Sequence, residues 1–91
     1  MHKVTHDAEN SIFWVDLVKD HKAKVVYELK AKEMHITSTL VPEVLRGQGY
    51  GNVMMEAILP KIEELGYRVV PVCPYVIKYM ATHPQWAHLL A

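Results

Sequence analysis

The chain has 91 residues, with ten Lys plus Arg against ten Asp plus Glu, six His, one Cys and a formal net charge of zero at pH 7. That balance lacks the basic stripe of a nucleic-acid binder and gives no electrostatic hold on a membrane surface. No apolar run approaches the ~20 residues of a spanning helix. A single domain, 1–91, is expected, and one of this size buries only about 60–65% of its extended surface, so little apolar material is spare. Residues 1–7 lack the apolar core of a signal peptide. The lone Cys73 has no partner for an internal disulfide, which suits a reducing cytoplasm. The short length is consistent with a monomer.

The first forty residues read as strands. Residues 3–6 form a short edge strand, and residues 7–10 a polar turn. Residues 12–18 are β-rich, with Ile12, Trp14 and Asp16 on one face and Phe13, Val15 and Leu17 on the other. A charged turn at 19–22 leads to a strand at 23–29 carrying Val25, Val26 and Tyr27, and a turn at 31–33 leads to a strand at 34–41. Hairpin-linked strands of this size predict an antiparallel meander. No turn contains Asn-Gly or Asp-Gly, so registers are not set by turn chemistry. In strand 34–41, Met34, Ile36, Ser38 and Leu40 share a largely core-like face. His35, Thr37, Thr39 and Val41 share a polar one, which either lines a cleft or faces water. Pro42 has no N–H to donate and ends or splays the ladder.

The stretch Val41-Pro42-Glu43-Val44-Leu45-Arg46-Gly47-Gln48-Gly49-Tyr50-Gly51 then leads into a helical pattern at 52–65. Its apolar positions, Val53, Met54, Ala57, Ile58, Ile62 and Leu65, recur at spacings of three and four. Pro60 should cost an interior hydrogen bond and kink the helix, and Gly66 reads as its C-terminal residue. Residues 67–72 read as a buried strand, and strand, helix, strand implies a right-handed parallel crossover. Pro74 suits the first turn of a second helix, with Val76, Tyr79 and Met80 toward the core. Pro84 stops it, and residues 85–90 pack as a terminal turn with Leu89 and Leu90 docked. The expected fold class is α+β: an antiparallel meander followed by a β-α-β-α unit.

A strand, a glycine-rich turn and a helix start together make a device for holding phosphates. Glycines free the backbone to converge its N–H groups, and the first helical turn adds unpaired donors and a positive dipole end. Arg46 adds a positive charge at the mouth. The mononucleotide loop needs Gly-Lys-Ser/Thr, which is absent, and the dinucleotide fingerprint needs Gly-x-Gly-x-x-Gly, where Asn52 stands instead. Arg46-x-x-Gly49-x-Gly51 does resemble the acetyl-coenzyme A pyrophosphate loop of GCN5-related N-acetyltransferases (GNATs). The competing reading is a turn that only lets a strand enter a helix.

The resemblance sharpens along the chain. Val41-Pro42, Arg46-Gly47-x-Gly49-x-Gly51, Val70-x-Val72-Cys73-x-Tyr75-Val76 and His83-Pro84, in that order, resemble the minimal YJDJ-type branch of the GNAT superfamily, from about residue 12 to residue 90. This resemblance implies a GNAT-like fold, acetyl-coenzyme A as co-substrate and acetyl transfer to a primary amine of a small molecule or protein. It implies coenzyme contacts at Leu40, Val41, Arg46, Gly47, Gln48, Gly49, Tyr50, Gly51, Cys73, Tyr75, Tyr79 and His83, with the pantetheine arm in a slot between splayed strands. One departure stands out: many members have His between two threonines where this chain has Ser38.

A thioester is already activated, so the difficulty lies with the amine. A free lysine amine is neutral only ~0.04% of the time at pH 7, so a base or a depressed amine pKa is needed. His35 is a candidate base, eleven residues before Arg46, a spacing that resembles that of the catalytic carboxylate in histone-type relatives. The bland alternative is a strand histidine facing solvent. Glu28 and Glu33 are further options. Cys73 can take the acetyl group, protonate the departing thiolate, or simply fill a strand end. Tyr79 is a candidate general acid, as a helical Tyr is in many relatives, although its spacing from Cys73 is off by one. His2 with His6, or His83 with His88, lack the companion ligands of a metal site, so none is expected. Trp14 and Trp86 read as packing, and the charged residues 20–24 as a solvated hairpin end. Two functions stay open: an acetyltransferase acting on an amine, and a module that holds coenzyme A or an acylated form without turnover. A small interaction domain whose loop binds nothing is the bland third.

Overall fold

A computed structural model describes residues 3–18 and 20–91 of the chain. The elements are β1 (Val4–Asp7), β2 (Ile12–Asp16), β3 (Lys22–Lys30), β4 (Glu33–Leu40), a 3₁₀ turn (Glu43–Leu45), α1 (Tyr50–Glu64), β5 (Arg68–Pro71), α2 (Pro74–Thr82) and a 3₁₀ segment (Pro84–Leu89). The five strands form one sheet in the order β1-β2-β3-β4-β5. The first three pairings are antiparallel and β4–β5 is parallel. The expected meander and β-α-β-α unit are therefore both present. The expected turn at 19–22 and the His2–His6 pair each include a residue outside the described ones. Among the described residues, no helix is long and apolar enough to cross a membrane.

Alternation assigns one sheet face to the helices. Phe13, Val15, Ala23, Val25, Tyr27, Met34, Ile36 and Val69 are buried there with Met54, Met55, Ile58, Leu59 and Ile62 of α1 and Val76, Tyr79 and Met80 of α2, in a single core. On the other face no side chain among the described residues is fully buried: Ile12, Trp14, Val26, His35 and Val70 are half-buried and Glu28 is exposed. The fold thus has two layers, and one sheet face is bare of helices.

The strict alternation expected for residues 34–41 fails in the middle. Val26 pairs with Ser38 and Tyr27 with Ile36, so Thr37 is an extra, unpaired residue. Its hydroxyl donates to the Val26 carbonyl at 3.3 Å. A bulge of this kind resets the side-chain phase. Beyond it Thr39 faces the helices beside fully buried Val25, while Ser38 and Leu40 turn outward and are exposed.

The α1 face is also corrected. Met55 and Leu59 are buried, whereas the expected Leu65 is exposed and Val53 and Ala57 are only half-buried. The buried stripe of α1 joins the same core as the sheet and α2, and Tyr75 of α2 reaches Gly51. The helix continues through Pro60, which sits on the exposed side. Gly66 ends it as expected, at φ +82°. Gly66 N–H donates to Glu63 and Tyr67 N–H to Ile62, the paired bonds of a Schellman cap. β5 is shorter than expected, and only Val69 in it is fully buried. The terminus docks as expected: Leu89 is buried, and Ala91 N–H donates to the Val69 carbonyl at 3.0 Å.

β1 is held by one polar contact on the helix side. His6 stacks on Phe13 with ring centroids 4.3 Å apart, and its Nε2 accepts from the Tyr27 hydroxyl at 2.5 Å. Burial lowers the His6 pKa from its ordinary 6.5, against a smaller upward pull from Asp7. The folded state therefore binds fewer protons at this site than the unfolded chain. The stability that depends on neutral His6 is complete above pH 6.5 and is lost as pH falls through the lower folded value. Melting temperature is expected to decline below pH 6.5, and less steeply in His6→Gln. Equal slopes in the two proteins would remove His6 from the account.

Candidate active site

The connection from β4 to α1 is built around Leu45, which is buried and anchors the 3₁₀ turn. Side chains fold back to brace it. Arg46 Nε donates to the Val41 carbonyl at 3.1 Å, and Gln48 Nε2 to the Val44 carbonyl at 3.2 Å. The glycines serve two physical purposes. Gly47 and Gly49 sit at φ +80° and +83° with open space where a Cβ would be, so their need is conformational. Gly51 has no such φ, but a Cβ there would lie 2.5 Å from the Tyr75 hydroxyl oxygen. It lets α2 approach the start of α1.

Gly49 is the N-cap of α1, which begins at Tyr50 with no acidic residue in its first turn. The N–H groups of Tyr50, Gly51 and Asn52 have no intrahelical acceptor there. Unpaired donors and a positive dipole end suit an anion, and Arg46 lies three residues before the cap.

The β4–β5 pairing ends at Ile36↔Pro71. The Ile36 carbonyl then accepts from both Val72 N–H at 3.1 Å and Cys73 N–H at 2.9 Å, closing the ladder. Beyond this point β4 continues to Leu40 paired only with β3, while the other chain turns into α2. The two strands therefore part at the Thr37 bulge, five residues before Pro42, the residue expected to part them. Exposed apolar side chains collect at these strand ends: Leu40 is 50% and Val72 47% exposed, with Val44 and Tyr75 nearby in sequence. Val41 is half-buried against the core.

Cys73 is the N-cap of α2 and is 8% exposed, at the closed end of this splay. Its Sγ lies 3.5 Å from the Thr39 hydroxyl oxygen. Burial pushes the thiol pKa up. Hydrogen bonding by the Thr39 hydroxyl and by the backbone of Val76, Tyr75 and Thr39 outweighs it, and the thiol falls below its ordinary 9.0.

Tyr75, Tyr79 and His83 form a column along α2. Tyr75 and Tyr79 ring centroids are 6.3 Å apart, and His83 stacks on Tyr79 at 3.8 Å. His83 Nδ1 donates to the Tyr79 carbonyl at 2.8 Å, which leaves the lone pair on Nε2. The Tyr79 hydroxyl is buried with no hydrogen-bond partner. Burial raises its pKa above 10.0, as do Glu56 and Tyr75. The Trp86 indole opposes this from outside hydrogen-bonding geometry.

The structure sets Tyr75 against Gly51 of the glycine loop and Thr39 against Cys73. His35 is not brought against Cys73. It lies on the helix-free face, paired across to Glu28 and Val70, one residue before the ladder closes. Its Nε2 is buried without a hydrogen-bond partner, 3.8 Å from a Glu33 oxygen. Two neighbours were not singled out by sequence. Thr39 was legible only as part of a polar strand face, and Glu56 beside Tyr79 had no sequence signal. A groove of about 680 Å³ lies elsewhere, between the start of β1 and α1, and neither the loop nor Cys73 lines it.

A family model described as GCN5-related N-acetyl-transferase matches residues 12–89. No curated protein sequence matches the chain. Among solved structures, the fold is similar to the solution NMR structure of a GCN5-like candidate N-acetyltransferase from Staphylococcus aureus. The TM-score is 0.72 at 18% identity, over 98% of this chain and 87% of that one.

Proposed function

Since the chain belongs to the GCN5-related N-acetyltransferase family, we propose that it binds acetyl-coenzyme A and transfers the acetyl group to a primary amine. The observation that carries this reading is the parting of β4 from β5 at Cys73, next to an α2 start whose Tyr75 reaches Gly51 of the glycine loop. The loop N–H groups and Arg46 take the pyrophosphate, and the apolar strand ends at Leu40 and Val72 flank the arm that leads inward. The thioester then lies beside Cys73, where the strands part.

The bare sheet face gives the amine a way in. The amine gives its proton to solvent, since His35 Nε2 is buried on the far face of the sheet from Cys73. When the tetrahedral adduct collapses, the C–S bond breaks and Cys73 gives its proton to the departing thiolate. Solvent then restores the proton to Cys73. Two groups compete for the acid's role, and their ordinary values of 9.0 and 10.0 already order them. Cys73 is shifted down and Tyr79 up, which widens the gap in favour of Cys73.

A thermal-shift titration with acetyl-coenzyme A, against ATP and NAD, tests the binding step. A ligand at 100 times its Kd adds about 2.7 kcal/mol of stability, which for a domain this size is a rise of many degrees. A selective rise is expected. No rise at millimolar ligand would leave residues 46–51 a structural turn, and the transferase reading would fall with it.

A further inference from the structure

β1 is the outermost strand of the sheet, and its far side pairs with no other described strand. One bond settles which backbone groups face that side. Asp16 N–H donates to the Lys3 carbonyl at 2.9 Å, and Val4 is opposite Val15. In an antiparallel ladder the pairs alternate, so Lys3, Thr5 and Asp7 direct their backbone groups to β2. Val4 and His6 direct theirs outward. An open edge of this kind is a template for another strand, and β1 carries no proline or bulge to blunt it.

We propose that the occupant of this edge is β1 of a second copy, paired antiparallel about Thr5 in a two-fold dimer with one continuous sheet. The strand is complementary to its own reverse. Centring on Thr5 places Val4 opposite His6 of the second copy, so the outward N–H and C=O groups of both are satisfied. It also places Lys3 opposite Asp7 of the second copy at each end. The other two registers that use these outward groups centre on Val4 or on His6. They oppose Lys3 to Thr5 or Thr5 to Asp7 and join no opposite charges.

Asp7 is already oriented for this. Its carboxylate accepts from Asn10 N–H at 3.3 Å and Asn10 Nδ2 at 2.9 Å, with lone pairs remaining. The groove beside the edge supports the same partner. Its floor of Val4, Ala57 and Pro60 is apolar, and its rim carries Lys3, Lys61 and Glu64. A rim of mixed sign is matched by its own copy across a two-fold axis. The short length alone favoured a monomer. The edge polarity is visible only in the ladder.

The interface is small, so association is concentration-dependent. Sedimentation velocity from micromolar to millimolar protein is expected to show a monomer–dimer equilibrium. Lys3→Asp puts like charges opposite one another at both ends and is expected to weaken association about tenfold. Adding Asp7→Lys restores it. In a Cys73→Ser background, Thr5→Cys is expected to form a disulfide across the axis on mild oxidation, because non-hydrogen-bonded pairs hold their side chains close. Ser38→Cys, exposed on the same face away from the edge, is the control and stays uncrosslinked. A monomer at every concentration, an unchanged equilibrium in Lys3→Asp, or equal crosslinking of both cysteine variants would each overturn the proposal.

Discussion

Gly49→Val is expected to abolish the rise in melting temperature that acetyl-coenzyme A produces. Gly49 sits at φ +83° as the N-cap of α1, and nothing lies within 4 Å of where its Cβ would be. The substitution therefore meets no neighbour, and its whole effect is on the backbone. A left-handed φ costs an L-residue roughly 1–2 kcal/mol, and a β-branched one is the least tolerant. The chain relieves that cost by turning the peptide planes on either side of position 49, which aims the loop N–H groups elsewhere. Losing one or two hydrogen bonds to a charged phosphate forfeits about 1.5–3 kcal/mol each, on the order of 100-fold in affinity. Gly66→Ala is the control. It imposes similar strain at φ +82° in the cap at the other end of α1. It should lower the melting temperature while leaving the ligand-induced rise intact. If Gly49→Val keeps the full rise, the loop does not hold the phosphates.

Much of this site was legible in the sequence because the residues that build it act locally. Gly47, Gly49 and Gly66 mark positive φ, Pro74 marks a helix start, and strict alternation over Phe13 and Val15 marks a buried face. What was not legible depended on contacts between distant segments. The Thr37 bulge has no signature of its own, since it arises from how eight residues of β4 (33–40) match seven of β3 (24–30). It reverses the face of every residue after it, and so puts Thr39, not Leu40, beside Cys73. Gly51 illustrates the same limit. It reads as one more loop glycine, yet what a side chain there would meet is the ring tip of Tyr75, twenty-four positions later. The burial of Met55 and Leu59 likewise depends on how α1 lies on the sheet, which its periodicity alone does not contain. His35 is the residue for which spacing and structure part. Its distance along the chain from Arg46 marks it as a base, but the fold sets it on the opposite face from Cys73.

Cys73→Ala is expected to retain the acetyl-coenzyme A-induced rise while slowing acetyl transfer by about 10²–10⁴-fold, the usual range for one general acid. The sign of the pH dependence identifies the role. As an acid, Cys73 must carry its proton, so the rate falls as pH rises through its pKa. That descending limb should lie below 9.0, because the Thr39 hydroxyl and the backbone at the start of α2 draw the thiol down. It should be absent in Cys73→Ala and persist in Tyr79→Phe, whose hydroxyl is shifted the other way. As a nucleophile, Cys73 must lose its proton. The same limb would then ascend, and acetylated enzyme would accumulate when amine is withheld. A wild-type protein that shows the thermal rise with no acetylated product under any of these conditions is a binding module, and replacing Cys73 would then change neither property. The 3.5 Å contact with Thr39 gives an independent handle. Thr39→Val keeps the shape, removes the hydroxyl and is expected to move the descending limb to higher pH. A limb that stays in place would mean that the titrating group is not Cys73.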